Sequence, residues 1–157
     1  MAYVGAAEPA PGCIFCHALS AGDDRATLVL HREADAFLIL NAYPYASGHV
    51  MAVPTRHVGS IGDASADELA AVMRLTQLGV RALAREYRPE GFNIGLNEGR
   101  VAGAGILGHV HMHVVPRWNG DSNFMTVTGN TRVLPEALDA LYQRLMTAAG
   151  EEIDRVP

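Results

Sequence analysis

The chain has 157 residues, 17 of them acidic and 12 basic, so its formal net charge is −5 with neutral histidines. All twelve basic residues are arginines, and the absence of lysine excludes both a Schiff-base lysine and the lysine of a phosphate-binding loop. The acidic balance argues against a nucleic-acid partner, because such binding depends on clustered cations. With 49% hydrophobic residues, the length predicts one domain with a substantial core.

The predicted strands follow one another closely along the chain. Runs of branched and aromatic residues predict strands over residues 27–32, 36–41, 49–53, 92–96 and 109–115, with a further short one near 125–127. Because most consecutive strands lack a crossover helix between them, the sheet is expected to be mostly antiparallel and the class α+β.

Two long helices are predicted. Ser65 followed by Glu68 is a capping box, and apolar residues then recur at spacings of three and four as far as Tyr87. Pro135 is placed like a first-turn proline and opens a final helix that ends near Gly150. We expect a loose arm over residues 1–12, a single domain over 13–150 and a tail over 151–157.

The cysteines and apolar segments bear on location. Cys13 and Cys16 are the only two cysteines, too few for a disulfide framework, and indicate a reducing compartment. No basic residue precedes Arg25, and no apolar run is long enough to span a bilayer. We therefore expect a cytoplasmic protein with no membrane partner.

Three histidines alternate in the predicted strand over 109–115. Since side chains alternate along a strand, His109, His111 and His113 lie on one face, while the intervening Val110 and Met112 lie on the other. Buried imidazoles must be hydrogen-bonded, so three on one face indicate a chemical role.

Two chemistries fit this pattern. His-x-His on a strand can chelate a catalytic metal, as in cupins, but the glutamate expected shortly downstream is missing, since none occurs before Glu136. Alternatively, one neutral imidazole attacks a phosphorus or acyl centre. The glycine-rich stretch 99–108 just upstream would then offer backbone N–H groups to charged oxygens.

Four ordered motifs resemble those of the histidine triad (HIT) superfamily of nucleotidyl hydrolases and transferases. The motifs are Cys-Ile-Phe-Cys at 13–16, Asn-x-x-Pro at 41–44 with Gly-His-Val-Met-Ala-Val-Pro at 48–54, Asn-Ile-Gly-Leu-Asn-Glu-Gly at 93–99, and His-Val-His-Met-His-Val-Val-Pro-Arg at 109–117. The resemblance implies a HIT-like fold, with about five antiparallel strands and two main helices, and a homodimer.

By this resemblance, His111 attacks the α-phosphorus of a nucleotide and forms a nucleotidyl-histidine intermediate. His113 and His49 flank it, and the carbonyl of His109 can accept the Nδ1 proton of His111, which leaves Nε2 free to attack. Asn41 would contact the ribose. The resemblance also implies a pocket for the base, lined by Ile14, Phe15 and Ile39. The glycine-rich loop implies contacts to the phosphates from Asn97, Arg100, Gly103 and Gly105.

The loop before the triad departs from the usual family pattern. Many members carry Gly-Gln-Ser or Gly-Gln-Thr there, whereas residues 102–108 have no hydroxyl or amide side chain and are one residue longer. The longer loop and residues 115–124 resemble short bacterial diadenosine tetraphosphate phosphorylases and Fhit-like members. The expected reaction is cleavage of a dinucleoside polyphosphate with phosphate or water as acceptor. The alternatives are a purine-nucleoside phosphoramidase (Hint-like) and a zinc-stabilised nucleotide-binding protein with little turnover.

Cys13 and Cys16 form a short chelating pair of the kind that zinc takes, provided that two more ligands exist. His57 and His109 could complete a Cys2His2 set, as in some bacterial proteins that this chain resembles, so a structural zinc is expected, and no organic cofactor. Two unligated thiols are the alternative, while a redox pair lacks a thioredoxin-like unit around it.

Overall fold

The structure is a computed structural model that describes residues 12–121 and 136–155. Five strands form one antiparallel sheet in the order β1-β2-β3-β5-β4. The strands are β1 (Val29–Arg32), β2 (Ala36–Leu40), β3 (Val50–Pro54), β4 (Gly91–Gly95) and β5 (Met112–Arg117). The helices are α1 (Ile14–Ser20), α2 (Asp24–Thr27), α3 (Ala66–Tyr87) and α4 (Leu138–Ile153), with 3-10 turns at Ile61–Asp63 and Arg100–Ala102. The predicted α+β fold, with five antiparallel strands and two long helices, is confirmed.

The predicted capping box starts α3. The Ser65 hydroxyl accepts from the backbone N–H of Glu68 at 3.2 Å, and the Glu68 carboxylate accepts from the N–H of Ser65 at 2.7 Å. Arg56 donates to both carboxylate oxygens of Glu68, at 2.7 and 2.8 Å. These bonds satisfy backbone donors that a helix N-terminus otherwise leaves unpaired. The helix ends at Arg88, which adopts a left-handed conformation with φ 46°.

The two faces of the sheet have different neighbours. Even-numbered residues of the central strands pack against α3 and α4, among them Leu38, Val50 and Val114. Gly79 permits this close approach, since a Cβ there would lie 3.1 Å from Val50 Cγ2. Odd-numbered residues such as Met51 form a second cluster with Phe15 of α1. His49, His111 and His113 are odd-numbered and lie on this second face.

Two strands begin at least two residues later than the sequence predicts. Residues 24–27 are helical, and Leu28 adopts a left-handed conformation with φ 63°, so β1 begins at Val29 rather than at residue 27. β5 begins at Met112 rather than at residue 109. The N–H of Val110 donates instead to the carbonyl of Val58 in the loop after β3, at 2.8 Å, so residues 109–111 precede the ladder between β3 and β5.

The C-terminal helix is longer than predicted. α4 extends through Ile153, so residues 151–153 belong to the helix and not to a tail. Glu152 is buried there and lies 3.7 Å from both Arg81 and Arg85 of α3, and these ion pairs add a reason for the helix to continue. Residues 1–11 of the predicted arm, the predicted strand at 125–127 and Pro135 lie outside the described residues. In the described part of the chain, no helix combines the length and apolar character needed to cross a membrane.

Candidate functional site

Strand pairing brings three imidazoles together. β3 pairs with β5 so that Met51 faces His113, and His49 immediately precedes β3. As a result, Nε2 of His49 lies 2.9 Å from Nδ1 of His113, and the rings of His111 and His113 are 4.8 Å apart at their centroids. All three side chains are buried. The period of two therefore places these rings on one face as predicted, although β5 starts only at Met112.

A backbone carbonyl determines which nitrogen of His111 carries the proton. Nδ1 of His111 lies 2.9 Å from the carbonyl oxygen of His109, which can only accept. The Nδ1–H of His111 therefore donates to this carbonyl, and Nε2 of the neutral ring keeps its lone pair. The structure thus contains the predicted hydrogen bond between His111 and the carbonyl of His109.

The positions of the protons on His49 and His113 can be deduced from neighbouring groups that can only donate. The backbone N–H of Tyr45 donates to Nδ1 of His49 at 3.1 Å. The amide nitrogen of Asn41 lies 3.2 Å from the same atom, since its oxygen accepts from the N–H of Tyr43. Nε2 of the neutral His49 therefore carries the proton and donates to Nδ1 of His113, whose own proton is then on Nε2.

Burial keeps the imidazoles uncharged. Desolvation, together with a smaller electrostatic contribution from nearby His111, lowers the pKa of His113 to about 4. Desolvation also lowers the pKa of His111, against the opposing effect of its bond to the His109 carbonyl. Near pH 7 both rings are thus neutral, which is the state in which an imidazole can be a nucleophile or a hydrogen-bond donor.

A second cluster gathers the four predicted metal ligands. The ligand atoms of Cys13, Cys16, His57 and His109 all lie within 4.8 Å of one another. Nδ1 of His109 is 3.2 Å from Sγ of Cys13, and Nδ1 of His57 is 3.3 Å from Sγ of Cys16. Two sulfurs and two imidazole nitrogens are a donor set that suits a tetrahedral metal ion. The cluster could therefore hold a metal.

His109 has the orientation of a metal-binding histidine. Its Nε2 lies 2.9 Å from the carbonyl oxygen of Pro54, so Nε2–H donates there and the lone pair of Nδ1 faces the two sulfurs. A hydrogen bond from the far nitrogen to a carbonyl is the usual support of such a ligand. The ring of His109 also packs edge-on against Phe15, with centroids 5.4 Å apart.

The structure places the predicted base-pocket residues at different depths. Phe15 is fully buried, and its ring lies 5.1 Å from that of His111, so it packs against this imidazole on the inner side of the site. Ile39 is nearly buried in the same cluster. Ile14 is 54% exposed. Of these three side chains, Ile14 alone offers a large free surface.

The predicted phosphate-contact residues lie on the loop that leads into His109. Asn97 is half-buried, and Arg100, Gly103 and Gly105 are exposed. Gly103 has φ +87°, which favours glycine and turns the chain after the 3-10 turn.

Sequence reasoning missed two residues that support these loops. The carboxylate of Glu98 accepts from the hydroxyl of Ser60 and the N–H of Ile61, both at 2.9 Å, which ties the glycine-rich loop to the segment after β3. The ring of Tyr45 lies 4.7 Å from that of His49 and 5.7 Å from that of His113. Both residues lie outside the helices and strands, where no periodic pattern indicates which way a side chain points.

Comparisons with known proteins agree with this geometry. The HIT domain family model matches residues 23–120. An AP-4-A phosphorylase from Mycobacterium tuberculosis is 44% identical over 124 residues, which are 79% of this chain and 64% of that protein, so the chain spans less than two thirds of this relative's length. An adenosine 5′-monophosphoramidase from Schizosaccharomyces pombe is 27% identical, over 90% of this chain and 95% of that one.

A similar fold also occurs among solved structures. A Zn-bound histidine triad family protein from Mycobacterium smegmatis superposes with a TM-score of 0.74 at 26% identity, covering 91% of this chain and 96% of that chain. The matched domain, the relative at 44% identity and the triad of buried imidazoles together show that this chain belongs to the HIT family.

Proposed function

We propose that the protein is a nucleotidyl transferase that cleaves dinucleoside polyphosphates through His111 and passes the nucleotidyl group to phosphate. The observation that carries this proposal is the bond from Nδ1–H of His111 to the carbonyl of His109, which leaves Nε2 as a free lone pair. The similarity to the M. tuberculosis phosphorylase supports the choice of substrate and acceptor.

The reaction then has two displacements at one phosphorus. Nε2 of His111 attacks the α-phosphorus, a P–N bond forms, and the P–O bond to the rest of the polyphosphate breaks. The Nε2–H of His113 donates to the departing oxygen. Inorganic phosphate next attacks the same phosphorus and returns its proton to His113, while the P–N electron pair returns to Nε2 of His111. Diadenosine tetraphosphate would give ATP in the first step and ADP in the second.

The substrate contacts complete the proposal. Asn41 would reach the ribose, and Ile14 would contact the base over a pocket that Phe15 and Ile39 support. The phosphates would lie against Asn97, Arg100 and the backbone N–H groups near Gly103 and Gly105. Since residues 102–108 supply no hydroxyl or amide side chain, His113 is left as the donor to the leaving group.

An acceptor assay tests the proposal. The protein is incubated with diadenosine tetraphosphate, with and without inorganic phosphate, and the products are separated. ADP plus ATP that form only with phosphate support the phosphorylase, whereas AMP plus ATP would make water the acceptor. Binding of the nucleotide without turnover of any substrate would contradict an enzymatic role and favour a binding protein.

A phosphoramidase is the second candidate, because the S. pombe relative aligns with nearly the whole chain. An adenosine phosphoramidate has an amine leaving group that must be protonated, which the Nε2–H of His113 could do. Turnover of this substrate alone, with none of diadenosine tetraphosphate, would replace the first proposal with this one.

We also propose that Cys13, Cys16, His57 and His109 hold a structural zinc. The proposal rests on the spacing of their ligand atoms and on the Zn-bound relative. When bound, zinc would join the start of α1 to the loop after β3 and to the segment before β5. Elemental analysis after gentle purification should give about one zinc per chain, and a value far below one would remove this proposal.

The assembly and location are proposals as well. We propose a homodimer that forms over the edge strand β4, where Ile94 and nearby Met73 of α3 are each 49% exposed. Light scattering of the purified protein would give a monomer mass if this were wrong. The reduced cysteine pair supports a cytoplasmic location.

A further inference from the structure

The turn between β2 and β3 surrounds the far side of His49. Asn41 directly follows β2, and its N–H donates to the carbonyl of His49 at 2.9 Å, while the N–H of His49 donates to the carbonyl of Ala46 at 3.2 Å. Inside this closed turn, the N–H of Tyr45 and the amide of Asn41 both point at Nδ1 of His49. Asn41 is only 3% exposed, so most of its side chain is committed to the turn.

We propose that the backbone N–H of Tyr45 and the side-chain amide of Asn41 are positioning groups that keep the proton of His49 on Nε2. Through His49 they make His113 present an N–H, rather than a lone pair, to the substrate. The second half of this proposal rests on the proposed function, in which that N–H donates its proton to the leaving group.

Two neutral imidazoles in a hydrogen bond can point their protons in either direction. With the proton of His49 on Nδ1, that proton would face the N–H groups of Tyr45 and Asn41, and both bonds would be lost. Nε2 of His49 would then accept from Nδ1 of His113, and Nε2 of His113 would carry a lone pair. A lone pair there repels phosphate oxygens and cannot protonate a leaving group. The turn therefore selects the direction that the chemistry needs.

The side chain of Tyr45 acts on the same pair. Its ring is inclined by 28° to that of His113 and by 39° to that of His49, at centroid distances of 5.7 and 4.7 Å. Offset contacts of this kind limit ring rotation. Tyr45 thus provides an N–H that determines the tautomer and a ring that holds the two imidazoles in place.

Nitrogen NMR of the full-length protein with labelled histidines tests the proposal directly, because bare and protonated ring nitrogens resonate far apart. At pH 7.5 we expect Nδ1 of His49 to be bare and Nε2 of both His49 and His113 to carry the proton. A proton on Nδ1 of His49 in the unmodified protein would overturn the proposal.

Two substitutions of Asn41 form a matched pair. Asn41→Leu removes the amide at similar size but keeps the N–H of Tyr45, so Nδ1 of His49 should stay bare. Asn41→Asp replaces a donor with an acceptor, so Nδ1 should become protonated. If both variants gave the same Nδ1 signal as the unmodified protein, Asn41 would not act on His49 and its part of the proposal would fail.

Turnover is measured on the same samples to separate the two proposals. If NMR shows the expected tautomers but no nucleotide substrate is turned over, the proposed function is refuted and the proton arrangement is supported. Normal turnover with the proton of His49 on Nδ1 would refute the arrangement and support the function.

Discussion

The candidate metal-ligand cluster and the imidazoles of the proposed catalytic site both contain histidines, but their ring nitrogens face different groups. Around Cys13, Cys16, His57 and His109, lone pairs converge on one point, since the proton of His109 is directed away to Pro54. Around His49 and His113, donors and acceptors alternate, so the proton of His49 has a partner within the protein and the Nε2–H of His113 is left to donate to the substrate in the proposed reaction. The first arrangement suits a metal cation, whereas the second is held by hydrogen bonds between the protein's own groups. The direction of one backbone hydrogen bond distinguishes a ligand from a proton donor.

His109 connects the two regions. Its Nδ1 belongs to the metal-ligand cluster, and its carbonyl accepts from Nδ1 of His111. Phe15, which lies between the two cysteines in sequence, packs against both of these rings. Disturbing the metal-ligand cluster should therefore reach His111, while a change at His111 should leave the metal ligands in place.

The largest expected effect is that of removing the proposed nucleophile. His111→Ala should abolish covalent labelling of the protein by a radiolabelled nucleotide and lower turnover by at least about 10³-fold, because no other group there forms the P–N bond. Zinc content and the unfolding transition should remain those of the unmodified protein. The control is His31→Ala, which changes a histidine of β1 that is far from His111 in the sequence. Labelling that survived in His111→Ala would refute the assignment of His111 as the nucleophile.

Removal of one metal ligand should act mainly on stability. Cys16→Ser should lose the metal and about 3 kcal/mol or more of unfolding free energy, since binding to a structural site is coupled to folding. Denaturant unfolding with and without added zinc checks this, with Ser20→Ala in the same helix as the matched control. A variant that kept both its metal and its stability would show that the thiol of Cys16 is not a ligand.

The rate loss caused by removing the proposed proton donor, His113, should depend on how basic the leaving group is. His113→Ala should slow cleavage of an adenosine phosphoramidate by about 10²-fold or more, because an amine must leave protonated. The loss should be smaller with an adenylate whose leaving group is weakly basic. Steady-state rates on the two substrates give the ratio, and equal losses would mean that His113 only contacts the phosphate.

The rate of nucleotidyl transfer should stay constant over a wider pH range than it would if His113 had the ordinary pKa of histidine. His113 has a pKa of about 4, below the ordinary 6.5, so it stays neutral at neutral and mildly acidic pH. Its burial disfavours the charged form, so its contribution to stability is complete above pH 6.5 and is lost as the pH falls through about 4. Nucleotidyl transfer should decline only as the pH approaches about 4, where His113 of the folded protein becomes protonated. A rate that halved near pH 6.5 would contradict this environment for His113.

The smallest effect is expected at the α3 cap, which lies outside both clusters. Ser65→Ala should cost about 1 kcal/mol of unfolding free energy without changing the nucleotidyl-transfer rate. Arg56 and the N–H of Ser65 lower the pKa of Glu68 to about 2, from an ordinary 4.5, so its contribution is complete above pH 4.5 and is lost as the pH falls toward 2. Glu68→Gln should therefore reduce the acid dependence of unfolding, as measured by circular dichroism. An unchanged dependence would show that the Arg56 pair contributes nothing.

The sequence by itself determined the features that depend on neighbours a few residues apart. The capping box of α3 and the alternation that places His111 and His113 on one face are local, so their patterns predict them directly. Motif resemblance also identified the four Cys and His residues that the structure brings together as possible metal ligands. It did not predict α1, or that Phe15 would be fully buried beneath two imidazoles, because helix α1 is short and lacks a side-chain cap.

Only the tertiary structure decided the positions of the protons. Cys13 and His109 are 96 residues apart in sequence, and His49 and His113 are 64 apart, so no local pattern records their contacts. The tautomer of His49 depends on a backbone N–H in a turn, and a backbone group has no residue-specific signature in the sequence. Residue types determine which chemistry is available, but hydrogen bonds between distant segments determine which ring nitrogens carry the protons.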